Sequence, residues 1–457
     1  MKLSFKAIFT TVFAVLSISC SGNLGAGDID LTLPDGDDNP SLPDVTVEFN
    51  HPCAYVNASD IARAREAIEK ADASDPVYAS WLSLCKSRFA QSGYTANPLP
   101  VVVRGDATGT GTTENYITCA QDAAAAFQLA LRYRLSDDTA CADAAVAILN
   151  AWASVCKTIT ANDNNQYLLV GFQGLTFANA AELLRDYPGW GVDDQNKFKK
   201  WLEDLWYAKS HTFVSTHGGN RTCNLHYWSN WELANLSCQL AIGIYLEDKD
   251  KIKIVNQEFT SGKGSGAINN MIPYAPVADP DGKSYLIAQS MESGRDQGHA
   301  TLVVSLCSEL CQTADNIGLG FWEKENSKVL AMAEYTAKYN VKPDGRFLAM
   351  KEMPFTPYKY CIDCACADKN HGTTHTVVSS DGRGKERACW ELIYAHYVKK
   401  QKCPANWCYY TKLFAEQLRY TNGVLTGDGG AGVDRFGETS SAFDQLGWGT
   451  LLFYQGD

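Results

Sequence analysis

The sequence predicts a mainly α fold: antiparallel helix pairs stacked into a bundle or toroid, with a few short strands toward the C-terminus. Three observations predict it. Helix-length segments with apolar residues three and four apart recur from about residue 58 to 419. Loops separate them throughout. The alternation of strand and helix that builds a parallel sheet is missing. Composition agrees, since 45% of the 457 residues are apolar and 20% charged, an ordinary globular balance with chain enough for a large core. A net charge of −12 argues against nucleic acid as the partner.

The chain opens with Lys2 and Lys6, an apolar run from Ala7 to Ser19, and Cys20. That run is too short to span a bilayer as a helix, and a charged start before a short apolar core reads as an export signal over residues 1–20. Leu16-Ser17-Ile18-Ser19-Cys20 resembles a bacterial lipobox, in which Cys20 is lipidated and anchors the chain to a membrane. Residues 21–48 hold Asp28, Asp30, Asp35, Asp37, Asp38, Asp44 and Glu48 with no Lys or Arg, and read as an acidic flexible tether. Residues 49–457 are expected to form one domain in an exported protein, periplasmic or anchored in the outer membrane.

Within that domain Ser59 is the expected cap of a helix starting Asp60-Ile61-Ala62. Val101 to Gly111 reads as an exposed loop. Further helices are expected over 119–134, 139–156, 170–186, 194–209, 231–246, 299–314, 325–339, 387–399 and 407–419. In the stretch from 299, Val303, Leu306, Cys307, Leu310 and Cys311 form one apolar stripe, which places both cysteines in the core. Cys361-Ile-Asp-Cys364-Ala-Cys366, with Cys403 and Cys408 beyond, lacks the second well-spaced pair of a zinc knuckle. Disulfides or buried thiols are the expectation. No cofactor is required, and a structural cation is left open.

Three segments concentrate polar side chains that a core would not hold. The first is Asn224-Leu-His226-Tyr227-Trp228-Ser229-Asn230-Trp231-Glu232. Ser229-x-x-Glu232 spells a capping box, which gives Glu232 a structural reading. The same helix start suits a carboxylate ligand, with Asn230 and a protonated Glu232 hydrogen-bonding it. Tyr227 and Trp231 are packing aromatics or a sugar platform. The second segment is Glu292-Ser-Gly-Arg295-Asp296-Gln297-Gly-His299, a tight turn entering a helix. Arg295 suits bidentate carboxylate binding, and Glu292 and Gln297 stand beside it. His299 in a first helical turn feels the positive dipole end and stays neutral, able to accept a proton. The third segment presents His375, Arg383 and Arg387 around a Gly-Arg-Gly turn. His371 lies just before it.

A carboxylate clamp, a neutral base and a second proton carrier are what β-elimination on a uronic acid needs. The C5 proton is weakly acidic until the neighbouring carboxylate is neutralised. A Tyr or His then removes it, and another Tyr or His protonates the leaving O4. Two readings compete with this one. A glycoside hydrolase would use Glu232 and Glu292 as its carboxylate pair. A non-catalytic glycan-binding lipoprotein would keep the groove without turnover.

Asn230-Trp-Glu-Leu, Glu292-Ser-Gly-Arg-Asp-Gln-Gly-His299, Gly382-Arg-Gly with Arg387, Trp390 and Tyr394-x-His396-Tyr397, and Phe443-Asp-Gln-Leu-Gly-Trp-Gly-Thr450 resemble the alginate-lyase-like polysaccharide lyases. The resemblance runs from about residue 50 to the end. It implies an (α/α) toroid, or incomplete barrel, that cleaves alginate or a related β-1,4-polyuronate such as glucuronan. It also implies neutralisation by Asn230, Arg295 and Glu232 and proton transfer by His299 or His226 with a tyrosine. Toroid alginate lyases carry adjacent Asn-His, whereas Leu225 separates Asn224 from His226 here. Their tyrosine follows the arginine motif, where this chain has Ala300-Thr301-Leu302. Tyr227 and Tyr285 are the remaining candidates.

Overall fold

Long helices with almost no exposed surface form an inner layer, and a second layer of helices packs outside it. The computed structural model describes residue 42 and residues 44–105, 113–161, 163–217, 223–360 and 373–456. Leu42 to the C-terminus forms one compact unit. Cys20, His371, Cys361, Cys364 and Cys366 lie outside the described residues, as does most of the acidic tether. The tether's last residues are attached to the body. Val47 is buried, Glu48 N–H donates to the Ile317 carbonyl at 3.4 Å, and Asp44 pairs with Lys253 at 2.9 Å.

In chain order the helices are α1 (Ala58–Lys70), α2 (Pro76–Lys86), α3 (Tyr116–Ser136), α4 (Thr139–Val155), α5 (Asn165–Leu183), α6 (Val192–Trp201), α7 (Ala208–Thr216), α8 (Ser229–Leu246), α9 (Lys249–Ser261) and α10 (Ile268–Met271). There follow α11 (Gln297–Asp315), α12 (Lys324–Asn340), α13 (Trp390–Tyr394), α14 (Tyr409–Leu418) and α15 (Gly449–Phe453). Among the described residues there are four short two-stranded pairs: β1 (Val101–Val103) with β2 (Thr158–Thr160), β3 (Val277–Ala278) with β4 (Leu286–Ile287), β5 (Tyr358–Lys359) with β6 (Thr374–His375), and β7 (Tyr420–Thr421) with β8 (Val424–Leu425). Only β1 and β2 run parallel.

The inner helices contact one another in the order α3, α5, α8, α11 and α13. The chain of contacts returns from α13 through α15 and α1 to α3. Outer partners follow their inner helices after short turns, α4 after α3, α9 after α8 and α12 after α11, which sets each pair antiparallel. This is an α/α toroid. The sequence accounts for the layering. α5 and α8 are buried nearly all round and carry apolar residues on every face, as a helix packed on every side requires. Gly171 lets these two approach, because a Cβ there would lie 2.7 Å from the Ala234 Cβ.

Several local expectations are corrected. The first helix is capped by Asn57, not Ser59. Asn57 Oδ1 accepts the Ser59 and Asp60 N–H groups at 2.9 and 3.0 Å, and Asp60 answers by accepting the Asn57 N–H. The stretch 194–209 is divided between α6, a π-helical segment at Leu202–Tyr207, and α7. α2 and α9 were not expected, and both begin on aspartate caps, Asp75 and Asp248. Val101–Val103 is a strand. The twelve described cysteines are free thiols and ten are buried, Cys307 and Cys311 completely.

Candidate active site

The N-terminal ends of α5, α8 and α11 meet at one end of the toroid. Asn164, just before α5, donates its side-chain N–H to the Tyr227 hydroxyl, just before α8. The Arg295 guanidinium, just before α11, lies 4.8 Å over the Trp228 ring, the N-cap of α8. The Gln297 N–H donates to the Asp381 carbonyl at 2.8 Å, which docks the 379–384 turn against α11. Parallel helix starts present unpaired N–H groups and the positive ends of their dipoles to the same space, an environment that favours an anion.

The turn before α11 carries the densest chemistry. Asp296 caps the helix by accepting the His299 N–H at 2.8 Å, and its Oδ2 lies 2.7 Å from His299 Nδ1. The same Oδ2 is 3.6 Å from Arg295 Nε. Burial pushes the Asp296 carboxyl upward, but its bond to His299 and the neighbouring charges outweigh that and hold it below its ordinary value. Arg295 Nη1 also reaches Glu292 Oε2 at 3.3 Å. Glu292 is fully buried, and burial raises its pKa against the pull of Arg295. One cation therefore faces two carboxylates while its side chain keeps 25% exposure.

His375 completes this group from β6. A Cβ at Gly294 would lie 2.6 Å from the His375 Cβ, so glycine lets the hairpin approach the turn. The imidazole sits 5.9 Å from Trp228 and 5.0 Å from Tyr358, centre to centre. Burial, and then the charge of Arg295, lowers its pKa and favours the neutral ring. Among the described residues, His375 Nε2, Glu292 Oε1 and Asn230 Oδ1 are buried without a hydrogen-bond partner. A buried polar atom left unpaired is costly, and a polar ligand would relieve it.

The first segment is divided between this space and the core. Tyr227 packs against His226 at 4.5 Å and Trp231 at 4.7 Å. Trp231 also stacks on Phe213. The His226 carbonyl accepts from the Tyr360 hydroxyl at 3.4 Å. Asn230 is buried in the first turn of α8. The capping box does not form, because Trp228 occupies the N-cap position and Glu232 turns elsewhere. Its Oε2 accepts the Gly266 N–H at 2.6 Å, and Oε1 lies 3.7 Å from His217 Nδ1. Gly264 makes room for it, since a Cβ there would fall 1.9 Å from Oε1.

Four expected site residues lie outside the group around Arg295. Gln297 is buried and spends its amide on the Ser293 and Ser379 carbonyls and on Asn340, which makes it a structural tie. Arg387 is buried against Asp444 and the Ser441 carbonyl. Tyr285 is exposed and stacks on Trp407 beside Leu330, in a separate surface pocket. Arg383 donates Nε to the Tyr339 carbonyl and lines a neighbouring cleft.

The structure adds residues the sequence did not single out. The Tyr358 hydroxyl accepts the Gly294 N–H at 3.3 Å and donates to the Met291 carbonyl, so it fixes the arginine turn. Tyr360 stacks on Trp228 at 3.6 Å. Tyr358-x-Tyr360 shows the two-residue period of a strand face, the one signal available for them. Arg104 lies over the rings of Tyr116, the first residue of α3, and Phe172, in the interior of α5. Among the described residues, one metal-capable group exists: His51, Cys53 and Glu182. Glu182 is at the opposite end of α5, and its carboxylate is already paired with His51 at 2.6 Å and Arg185 at 3.1 Å.

A family model described as alginate lyase matches residues 104–346, which is more than half of the chain. The chain belongs to the alginate lyase family. It is a polysaccharide lyase. No curated protein matches the sequence. Among solved structures it is similar to an alginate lyase from Bacteroides ovatus, with 12% identity over 82% of this chain and 98% of that one and a TM-score of 0.51. It is also similar to the apo form of a His→Ala variant of alginate lyase A1-III, a protein of Sphingomonas species A1, with 15% identity over 88% and 96% of the two chains and a TM-score of 0.50. A Tyr→Phe variant of that protein, complexed with a tetrasaccharide, aligns with 17% identity over 62% and 76% and a TM-score of 0.45. At these identities the two longer alignments support the toroid fold.

Proposed function

We propose that this alginate lyase family member cleaves alginate or a related β-1,4-polyuronate such as glucuronan by β-elimination at the Arg295 turn. The observation that carries the reading is that Arg295 and His299 share one carboxylate, Asp296. Arg295 lies over Trp228 and neutralises the carboxylate of the uronate being cleaved, with the α8 and α11 starts adding dipole. His299 directs Nδ1 to Asp296, which leaves Nε2 to remove the C5 proton. The electron pair moves to the C4–C5 bond and the C4–O4 bond breaks. Tyr227, beside His226 and Asn164, protonates the leaving oxygen. Asn230 Oδ1 and His375 Nε2 supply polar atoms for the sugar. Glu232, turned to Gly266 and His217, supports α8.

The enzyme is further proposed to be exported and held at a membrane through Cys20, with the acidic stretch after it as a spacer. The test of the catalytic reading is ultraviolet absorbance of the C4–C5 unsaturated product on alginate, glucuronan and pectate. Unsaturated ends on at least one polymer are expected. Reducing ends appearing without new ultraviolet absorbance would point to hydrolysis instead.

A further inference from the structure

A cleft of about 720 Å³ lies beside the Arg295 turn. Its wall includes Phe355, Thr376, Val377 and Arg383. Two of these adjoin the candidate active site. Thr376 follows His375 directly, and Phe355 Cζ lies 3.0 Å from where a Gly294 Cβ would be. The cleft and the arginine turn therefore share one wall, the segments that flank the paired strands β5 and β6. Its volume falls within the range of ligand sites.

The cation in the cleft is held for binding. Arg383 stacks 4.1 Å from both the Tyr339 and Phe347 rings, and Nε is fixed on the Tyr339 carbonyl. Among the described residues its Nη atoms have no hydrogen-bond partner. A guanidinium held against two rings and one carbonyl loses little freedom when it binds a carboxylate. Lys351 lines the same cleft and Glu352 offsets one charge, so the lining is net basic on a chain whose net charge is −12. Val377 lines the cleft and is 62% exposed.

We propose that this cleft is a distal uronate subsite in which Arg383 binds the carboxylate of a sugar several residues from the cleaved bond. The proposal rests on the polyuronate reading above and names the residue that measures chain length. The test compares kcat/KM on long polymer with kcat/KM on short oligomers for wild type, Arg383→Ala and Val377→Glu. A lost charge-assisted contact lowers the polymer-to-oligomer ratio about tenfold in Arg383→Ala. Val377→Glu, at an exposed position that folding tolerates, lowers it in the same direction by repulsion. Arg383→Lys restores part of the ratio by returning the charge without the planar fork. Calorimetry of saturated oligouronates of increasing length, with a His299→Ala enzyme as host, should show an affinity gain with length that Arg383→Ala removes. Wild-type turnover with ratios unchanged in both variants would overturn the subsite alone. Length-dependent binding lost in Arg383→Ala, with no unsaturated product from any polymer, would uphold the subsite and overturn the lyase mechanism.

Discussion

His299 Nδ1 lies 2.7 Å from Asp296 Oδ2, and the same aspartate caps the helix that His299 enters. One side chain thus starts α11, orients the base and meets Arg295. The prediction separates these duties. Asp296→Asn retains a good N-cap, so the melting temperature should change little. The amide no longer holds the Nδ1–H tautomer, so kcat should fall about 10²–10⁴-fold. Steady-state kinetics across pH, beside a thermal melt, checks both.

Arg295→Lys keeps a charge and loses the fork and the stacking on Trp228. It should lower kcat about tenfold or more. Arg295→Ala should lose about 10²–10³-fold. It also leaves the buried Glu292 without its cation, so it should cost on the order of 1–3 kcal/mol in stability. Denaturant titration separates the two effects.

Arg387 and Asp444 form a buried ion pair. Burial raises the Asp444 pKa, against the pull of Arg387. Arg387→Ala should cost about 3–5 kcal/mol, because the carboxylate is left uncompensated. Differential scanning calorimetry should show the loss, and a lowered yield of soluble protein should accompany it.

Glu309 is fully buried, and burial pushes its pKa to about 8. The folded state holds a proton that the unfolded chain releases near pH 4. The stability this gives is complete below that point and is lost as pH rises toward about 8. Glu309→Gln removes the titration and keeps an oxygen that can accept the Leu446 N–H. The stability of the variant relative to wild type should rise by a few kcal/mol, order of magnitude, between about pH 5 and about pH 8. Urea midpoints at the two pH values test the sign.

Legibility in the sequence followed distance along the chain. The Arg295 turn could be read because its cap, base and cation lie within four residues. The long helices could be read because α3, α4 and α11 keep their apolar spacing. Arg387 could not be assigned, since its partner Asp444 is 57 residues away and nothing local marks the pair. The role of Tyr358 could not be assigned for the same reason, as its contact with Gly294 spans 64 residues. Glu232 misled because a capping-box spelling does not reveal that Gly264 and Gly266 open a better place for the carboxylate.

The most direct measurement compares wild type with Arg295→Ala on a polyuronate and on its methyl ester, recording unsaturated product. Esterification removes the charge that Arg295 is proposed to neutralise. The variant should lose about 10²–10³-fold on the free acid and much less on the ester. Equal losses on both substrates, or no unsaturated product from the wild-type enzyme on either, would contradict charge neutralisation by Arg295.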